Sequence, residues 1–219
     1  MGMLHRFDLQ RIAREYNLDF LFESGTFRGD ALAYALSAPF RKMISVEIVP
    51  ELADAARRRF EQESRIEILT TDSLSALEET LPQIEGNGVF WLDAHFPGAD
   101  AGLTAYDDCD EEELRLPLMK ELQIIKRLRP GNSDVMILDD LRIYEDGPFD
   151  NGNVPEDAKP SGSRSLQFVY DLFDESHVIL KSYKDEGYTV LFPRRIYRRH
   201  HFRLSQWFGA SIPEDFYYA

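Results

Sequence analysis

The chain has 219 residues, 43% of them hydrophobic, and a formal net charge of −14. That length and apolar fraction suit a single globular domain over 1–219, and the negative charge repels nucleic acid and anionic membrane at long range. No apolar run is long enough to cross a bilayer, the first residues lack the apolar core of a signal peptide, and the lone Cys109 excludes an internal disulfide, so a cytoplasmic address is expected.

Apolar Leu9, Ile12 and Ala13 at helical spacing predict a lead-in helix over residues 7–16. Phe20, Leu21 and Phe22 then form a short buried strand ending in Glu23, followed by a turn with Gly25 and Gly29 and a helix over 31–37 that Pro39 stops. Glycines here permit positive φ and a close approach of a ligand to the backbone, and a strand-to-helix turn aims free N–H groups into a crevice. The spacing E-x-G-x-x-x-G is not the G-x-G-x-x-G of dinucleotide binders, and the acid suits a cationic ligand or one that donates from amino and hydroxyl groups.

A second strand over 42–47 ends in Glu47, and Pro50 opens a helix reaching about Glu61. The third strand spans 65–70. Asp72 follows it, and Ser73 is the expected cap of a helix over 74–81. The fourth strand, 88–93, ends in Asp93, and a polar segment over 94–113 leads to a helix over 114–129. The fifth strand, 134–139, ends in the pair Asp139-Asp140. An irregular stretch over 144–163 is long enough to be a lid, and a helix over 165–173 follows it. Strands over 177–183 and 188–192 flank Lys184-Asp-Glu-Gly187 as a hairpin, and the basic, aromatic tail 194–219 has no assigned element.

This alternation predicts an α/β fold, a Rossmann-like and mainly parallel sheet of seven strands with helices on both faces and an antiparallel C-terminal hairpin. Ligands of such sheets bind beyond the carboxyl ends of the strands, where Glu23, Glu47, Asp72, Asp93 and Asp139 are all delivered. An acid at every strand end argues for one shared site.

Over residues 20–192 the chain resembles the class I S-adenosylmethionine-dependent methyltransferases. The matching motifs are Glu23-Ser-Gly25-Thr26-Phe-Arg-Gly29, the strand-end Glu47, Asp72 after the third strand, and Trp91-Leu-Asp-Ala-His95. The resemblance implies that Glu23, Gly25, Thr26 and Gly29 cradle the cofactor, Glu47 holds the ribose hydroxyls, Asp72 lies by the adenine, and Asp93 faces the reacting methyl group. Asp93 with Asp139 and Asp140 further resembles the divalent-metal site of the catechol and macrolide-sugar O-methyltransferases. That implies Mg²⁺ activation of an acceptor hydroxyl on a small molecule, with His95 as the base. The lysine base of the catechol enzymes has no counterpart near Asp93, which makes the sugar-modifying branch the nearer analogy.

Rival readings are a metal-independent methyltransferase acting on nitrogen or a macromolecule, a non-catalytic S-adenosylmethionine-binding module, and a nicotinamide-dependent oxidoreductase, against which Glu23 and the glycine spacing argue. The acidic run Asp107-Asp-Cys-Asp-Glu-Glu-Glu113 reads as a solvated loop leading into a helix. The basic residues from Arg194 to Arg203 read as partners of the protein's own acidic surface or of a neighbouring subunit. Trp207, Phe208, Phe216, Tyr217 and Tyr218 then serve as packing contacts or as contacts of a homo-oligomer.

Overall fold

The computed structural model describes residues 3–96, 115–156, 159–160 and 164–200. A 3₁₀ turn, Leu4–Arg6, leads into α1 (Leu9–Tyr16). Asp8 caps α1 by accepting from the Arg11 N–H at 2.9 Å, and Leu9, Ile12, Ala13 and Tyr16 are its buried face, the i, i+3, i+4, i+7 stripe of an amphipathic helix. Asn17 at φ 52° ends it. There follow β1 (Leu18–Ser24), α2 (Asp30–Ala35), β2 (Lys42–Glu47), α3 (Pro50–Arg59), β3 (Ile66–Thr70), α4 (Ser73–Thr80) and β4 (Asn87–Leu92). The second half contributes α5 (Leu118–Leu128), β5 (Val135–Leu138), α6 (Gln167–Phe173), β6 (His177–Ser182), β7 (Tyr188–Pro193) and α7 (Arg194–His200).

The seven strands form one sheet in the order β3-β2-β1-β4-β5-β7-β6. β1 to β5 pair in parallel, while β7 runs antiparallel to both β5 and β6. Strand order reverses between β1 and β4, and that switch point opens a crevice at the strands' carboxyl ends. The pleat sends alternate residues to opposite faces. Leu21, Met43, Val89, Trp91 and Ile137 join the core under α1 to α3, whereas Phe20, Phe22, Ile44, Phe90 and Leu92 join the core under α4 to α6. The other end of the sheet is fastened by Asp134, which accepts from Arg129 Nε at 2.6 Å, from Arg129 Nη2 at 2.8 Å and from the Gly88 N–H at 2.7 Å. No helix among the described residues is long and apolar enough to cross a membrane.

Strand positions agree with the sequence expectations to within a residue or two. Ser73 is not the cap of α4: Asp72 is, in extended backbone, its carboxylate accepting from the Ser75 N–H at 2.8 Å and from Ser75 Oγ at 2.7 Å. Ser73 already has helical geometry, so its hydroxyl cannot reach the N–H groups that a cap serves. The start of the unassigned tail is helical, and Arg194 bonds the carbonyls of Asp174 and His177 at 2.6 and 2.9 Å, a contact to its own domain. The acidic run 107–113 with Cys109 and the aromatic residues after 200 lie outside the described residues.

Candidate active site

The crevice is built first by the turn after β1. Gly25, at φ 92°, and Thr26 both donate their N–H groups to the Val46 carbonyl at 3.0 Å, which ties the turn to β2. A Cβ on Gly25 would sit 2.8 Å from the carbonyl oxygen of Asp93, so only glycine lets the β1 turn and the end of β4 come this close. Gly25→Ala is therefore expected to lower stability by about 1–3 kcal/mol, readable as a fall in the urea midpoint. A midpoint equal to the wild type would show that the approach is not constrained.

Glu23, Ser45, Glu47, Trp91 and Asp93 alternate onto the sheet face shared with α1 to α3. Glu23 is fully buried; one carboxyl oxygen accepts from Ser45 Oγ, which also pairs with Thr26 Oγ1 at 2.6 Å. Its other oxygen, Oε1, has no hydrogen-bond partner among the described residues. Burial pushes the Glu23 pKa up to about 8, with the Ser45 bond opposing and the Glu47 charge adding to the rise. Glu47 is held by two backbone donors, the Phe27 N–H at 2.8 Å and the Val49 N–H at 3.0 Å. These elements enclose a cleft of about 250 Å³ lined by Glu23, Gly25, Thr26, Phe27, Trp91 and Asp93, with Met3 and His5 on its rim.

Two residues expected at the cofactor have other partners. Gly29, at φ 77°, is the residue before α2, and a Cβ there would meet the Phe60 ring at 2.6 Å, so this glycine serves packing against α3. Asp72 spends both carboxyl oxygens on the cap of α4.

On the far side of Asp93 the strand ends of β4 and β5 gather four groups. His95 Nε2 lies 2.8 Å from Asp140 Oδ2, and His95 Nδ1 lies 3.5 Å from Asp93 Oδ1. Asp140, at φ 52°, also receives Arg142 Nε at 3.1 Å. Burial opposes its ionisation, but His95 and then Arg142 hold its carboxyl below the usual range. Asp93 and Asp139 are pushed well above that range, first by burial and for Asp139 next by the charges of Asp93 and Asp140. Asp139 Oδ1 is buried with no hydrogen-bond partner among the described residues. A half-buried carboxyl beside a buried one with an orphaned oxygen is the setting that a dication would neutralise. Asp93, His95 and Asp139 each offer one ligand atom, all within 4.8 Å of one another.

One further residue belongs here that the sequence reading passed over. Glu121 on α5 is buried, bonds Ser24 and Ser73, and has its Oε1 unpartnered among the described residues. Burial pushes it up to about 7, against the Ser73 and Ser24 bonds and the His95 charge. It lines a small hollow of about 10 Å³ together with His95, Asp139 and Tyr144. The signal was available: Glu121 falls inside the apolar stripe Leu118, Leu122, Ile125, where a carboxylate has no solvent to enter.

The Rossmann-like architecture, with its mainly parallel sheet and antiparallel C-terminal pair, is shared with solved methyltransferase structures. The chain is similar to an S-adenosylhomocysteine-bound methyltransferase of Podospora anserina, with a TM-score of 0.57 and 14% identity over 85% of this chain and 76% of that one. It is also similar to a putative caffeoyl-CoA O-methyltransferase of Staphylococcus aureus, with a TM-score of 0.55 and 13% identity over 84% and 80% of the two chains. A third likeness is to a Streptomyces achromogenes O-methyltransferase of tomaymycin synthesis in complex with S-adenosylmethionine, with a TM-score of 0.53 and 16% identity over 84% and 77%. No protein-family model matches the sequence, and no curated protein matches it.

Proposed function

We propose that this protein transfers the methyl group of S-adenosylmethionine to a hydroxyl oxygen of a small molecule, assisted by a divalent cation. The observation that carries the reading is the cleft at the switch point, where Glu23, Gly25, Thr26 and Asp93 converge and where the lining residue Phe27 donates its N–H to Glu47. In that position Glu47 accepts from the ribose hydroxyls, and the acidic wall suits the donor's amino group and sulfonium. Solved structures of this fold that hold S-adenosylmethionine or S-adenosylhomocysteine support S-adenosylmethionine as the donor.

Transfer is an in-line displacement at the methyl carbon, and the main contribution of the protein is alignment of donor and acceptor. Asp93 is common to both halves of the site: it lines the donor cleft and stands beside His95 and Asp139. Asp93 and Asp139 would hold the cation, which when bound lowers the pKa of an acceptor hydroxyl. Asp140 and Arg142 orient His95, and the Leu92, Tyr144 and Ile143 side chains around the hollow limit water on that side. We read the chain as one domain, and self-association is part of the same proposal.

The test is calorimetric titration with S-adenosylmethionine and S-adenosylhomocysteine, followed by methyl transfer to a panel of sugars and phenols before and after chelation. Micromolar binding of both nucleosides and chelator-sensitive transfer are expected. Absence of nucleoside binding would sink the reading, and transfer that survives chelation would move the proposal to metal-independent chemistry at His95.

A further inference from the structure

We propose that the cation site, on which the proposed function rests, is a mixed nitrogen and oxygen site. Asp93, His95 Nδ1 and Asp139 are its ligands, Asp140 is the carboxylate that positions the imidazole, and the occupant is a first-row transition-metal dication such as Mn²⁺, Co²⁺ or Zn²⁺ rather than Mg²⁺. The resemblance seen in the sequence implies an all-carboxylate set of Asp93, Asp139 and Asp140. The geometry assigns Asp140 otherwise.

Both oxygens of Asp140 face donors of the protein itself: Oδ2 meets His95 Nε2 at 2.8 Å and Oδ1 meets Arg142 Nε at 3.1 Å. The left-handed backbone at Asp140, φ 52°, differs from the extended backbone of β5 before it, so successive carboxylates at 139 and 140 need not face the same point. With Nε2 turned to Asp140 Oδ2 at 2.8 Å, the ring nitrogen that can ligate a metal is Nδ1, in the neutral tautomer that carries its N–H on Nε2. Nδ1 lies 3.5 Å from Asp93 Oδ1, an ordinary separation for two ligands of one ion. Asp139 supplies the third donor, and its Oδ1 is buried with no hydrogen-bond partner among the described residues.

A carboxylate behind a histidine that ligates through its other nitrogen is the usual outer support of a metal-bound imidazole, fixing its tautomer and raising its basicity. Here His95 and Asp140 have that relation, and Arg142 keeps Asp140 in place. An imidazole in the ligand set decides the class of ion. Mg²⁺ takes oxygen ligands and retained waters, whereas Mn²⁺, Co²⁺ and Zn²⁺ gain from nitrogen in rising order.

The experiment uses the full chain, stripped by chelation and dialysed, and titrated separately with Mg²⁺, Mn²⁺, Co²⁺ and Zn²⁺. Affinity is read by calorimetry, Mn²⁺ additionally by loss of its free-ion spin-resonance signal, and Co²⁺ by its visible absorption. His95→Ala, Asp140→Asn and Asp139→Asn are measured beside the wild type, with circular dichroism and S-adenosylmethionine binding recorded on each sample.

Because most sites favour Co²⁺ over Mg²⁺ to some degree, the deciding readout is the response to His95→Ala. The expected result is a loss of at least about 10-fold in Co²⁺ and Zn²⁺ affinity with a changed Co²⁺ spectrum, and Mg²⁺ binding altered by less than about 3-fold. Asp140→Asn is expected to weaken the transition metals by about 10- to 100-fold without abolishing them. Asp139→Asn is expected to remove binding of all four ions.

Equal Mg²⁺ and Mn²⁺ affinities that ignore His95→Ala and vanish in Asp140→Asn would overturn the assignment in favour of three carboxylates. Binding of no ion by the wild type would overturn it as well. In that case S-adenosylmethionine binding in the same samples decides separately whether the donor half of the proposed function stands.

Discussion

Glu47→Ala is expected to weaken S-adenosylmethionine binding by about 10²- to 10³-fold in calorimetric titration, roughly 3–4 kcal/mol. Two effects combine. The variant loses an ionised acceptor for a vicinal diol, where bonds to charged groups contribute about 1.5–3 kcal/mol each. It also leaves the N–H groups of Phe27 and Val49, now bonded to Glu47 at 2.8 and 3.0 Å, without their acceptor, so the β1 turn and the start of α3 lose a common anchor. Glu47→Gln separates the two, since the amide keeps one acceptor oxygen and loses the charge; an intermediate loss is expected. S-adenosylhomocysteine, which lacks the sulfonium, should weaken in parallel because the ribose is unchanged. An affinity for Glu47→Ala within about 3-fold of the wild type, with the fold intact, would remove Glu47 from the site.

The second large effect is on stability against pH. Glu23 and Glu121 are held well above the unfolded value of 4.5, at about 8 and about 7, chiefly by burial. A carboxyl raised in this way contributes stability that is fully present below the unfolded pKa and is lost as pH rises through the folded one. Between about pH 5 and pH 8.5 the protein should therefore lose on the order of a few kcal/mol of unfolding free energy, read as a falling urea midpoint. Asp93 and Asp139, raised for the same reason, act in the same direction. Glu121→Gln is expected to be near neutral at the acid end and stabilising by about 1–3 kcal/mol at the alkaline end, because a neutral amide needs no desolvated charge. The cation of the acceptor site should blunt the contribution of Asp93 and Asp139 and leave that of Glu23. A flat midpoint across the range in metal-free protein would contradict the burial of these charges.

Much of this site was legible before folding. Largely apolar runs at residues 20–22, 43–46, 88–92 and 135–138 mark the buried strands, and the acids that terminate them mark a common edge. The hairpin was legible from Lys184-Asp-Glu-Gly187 between two β-rich runs, and it does pair antiparallel. At the start of α4 the sequence leaves two good capping side chains side by side, Asp72 and Ser73, and only the backbone angles decide that Asp72 lies outside the helix. Glu121 was absorbed into a helical pattern that it fits by spacing and violates by chemistry.

What the sequence determined by itself is local: which segments are strands or helices, and that Glu23, Glu47, Asp93 and Asp139 stand at strand ends, because burial period and chain breaks are short-range signals. Tertiary structure decided which of these groups meet. Only the strand order β3-β2-β1-β4-β5-β7-β6 sets β4 against β5 and brings His95 between Asp93 and Asp140. The left-handed turn at Asp140, the contact of Gly25 with the Asp93 carbonyl and the burial of Glu121 under Ser24 and Ser73 likewise depend on segments distant in the chain. Such contacts follow from how the whole sheet packs, and no window of local sequence contains the energy that selects them.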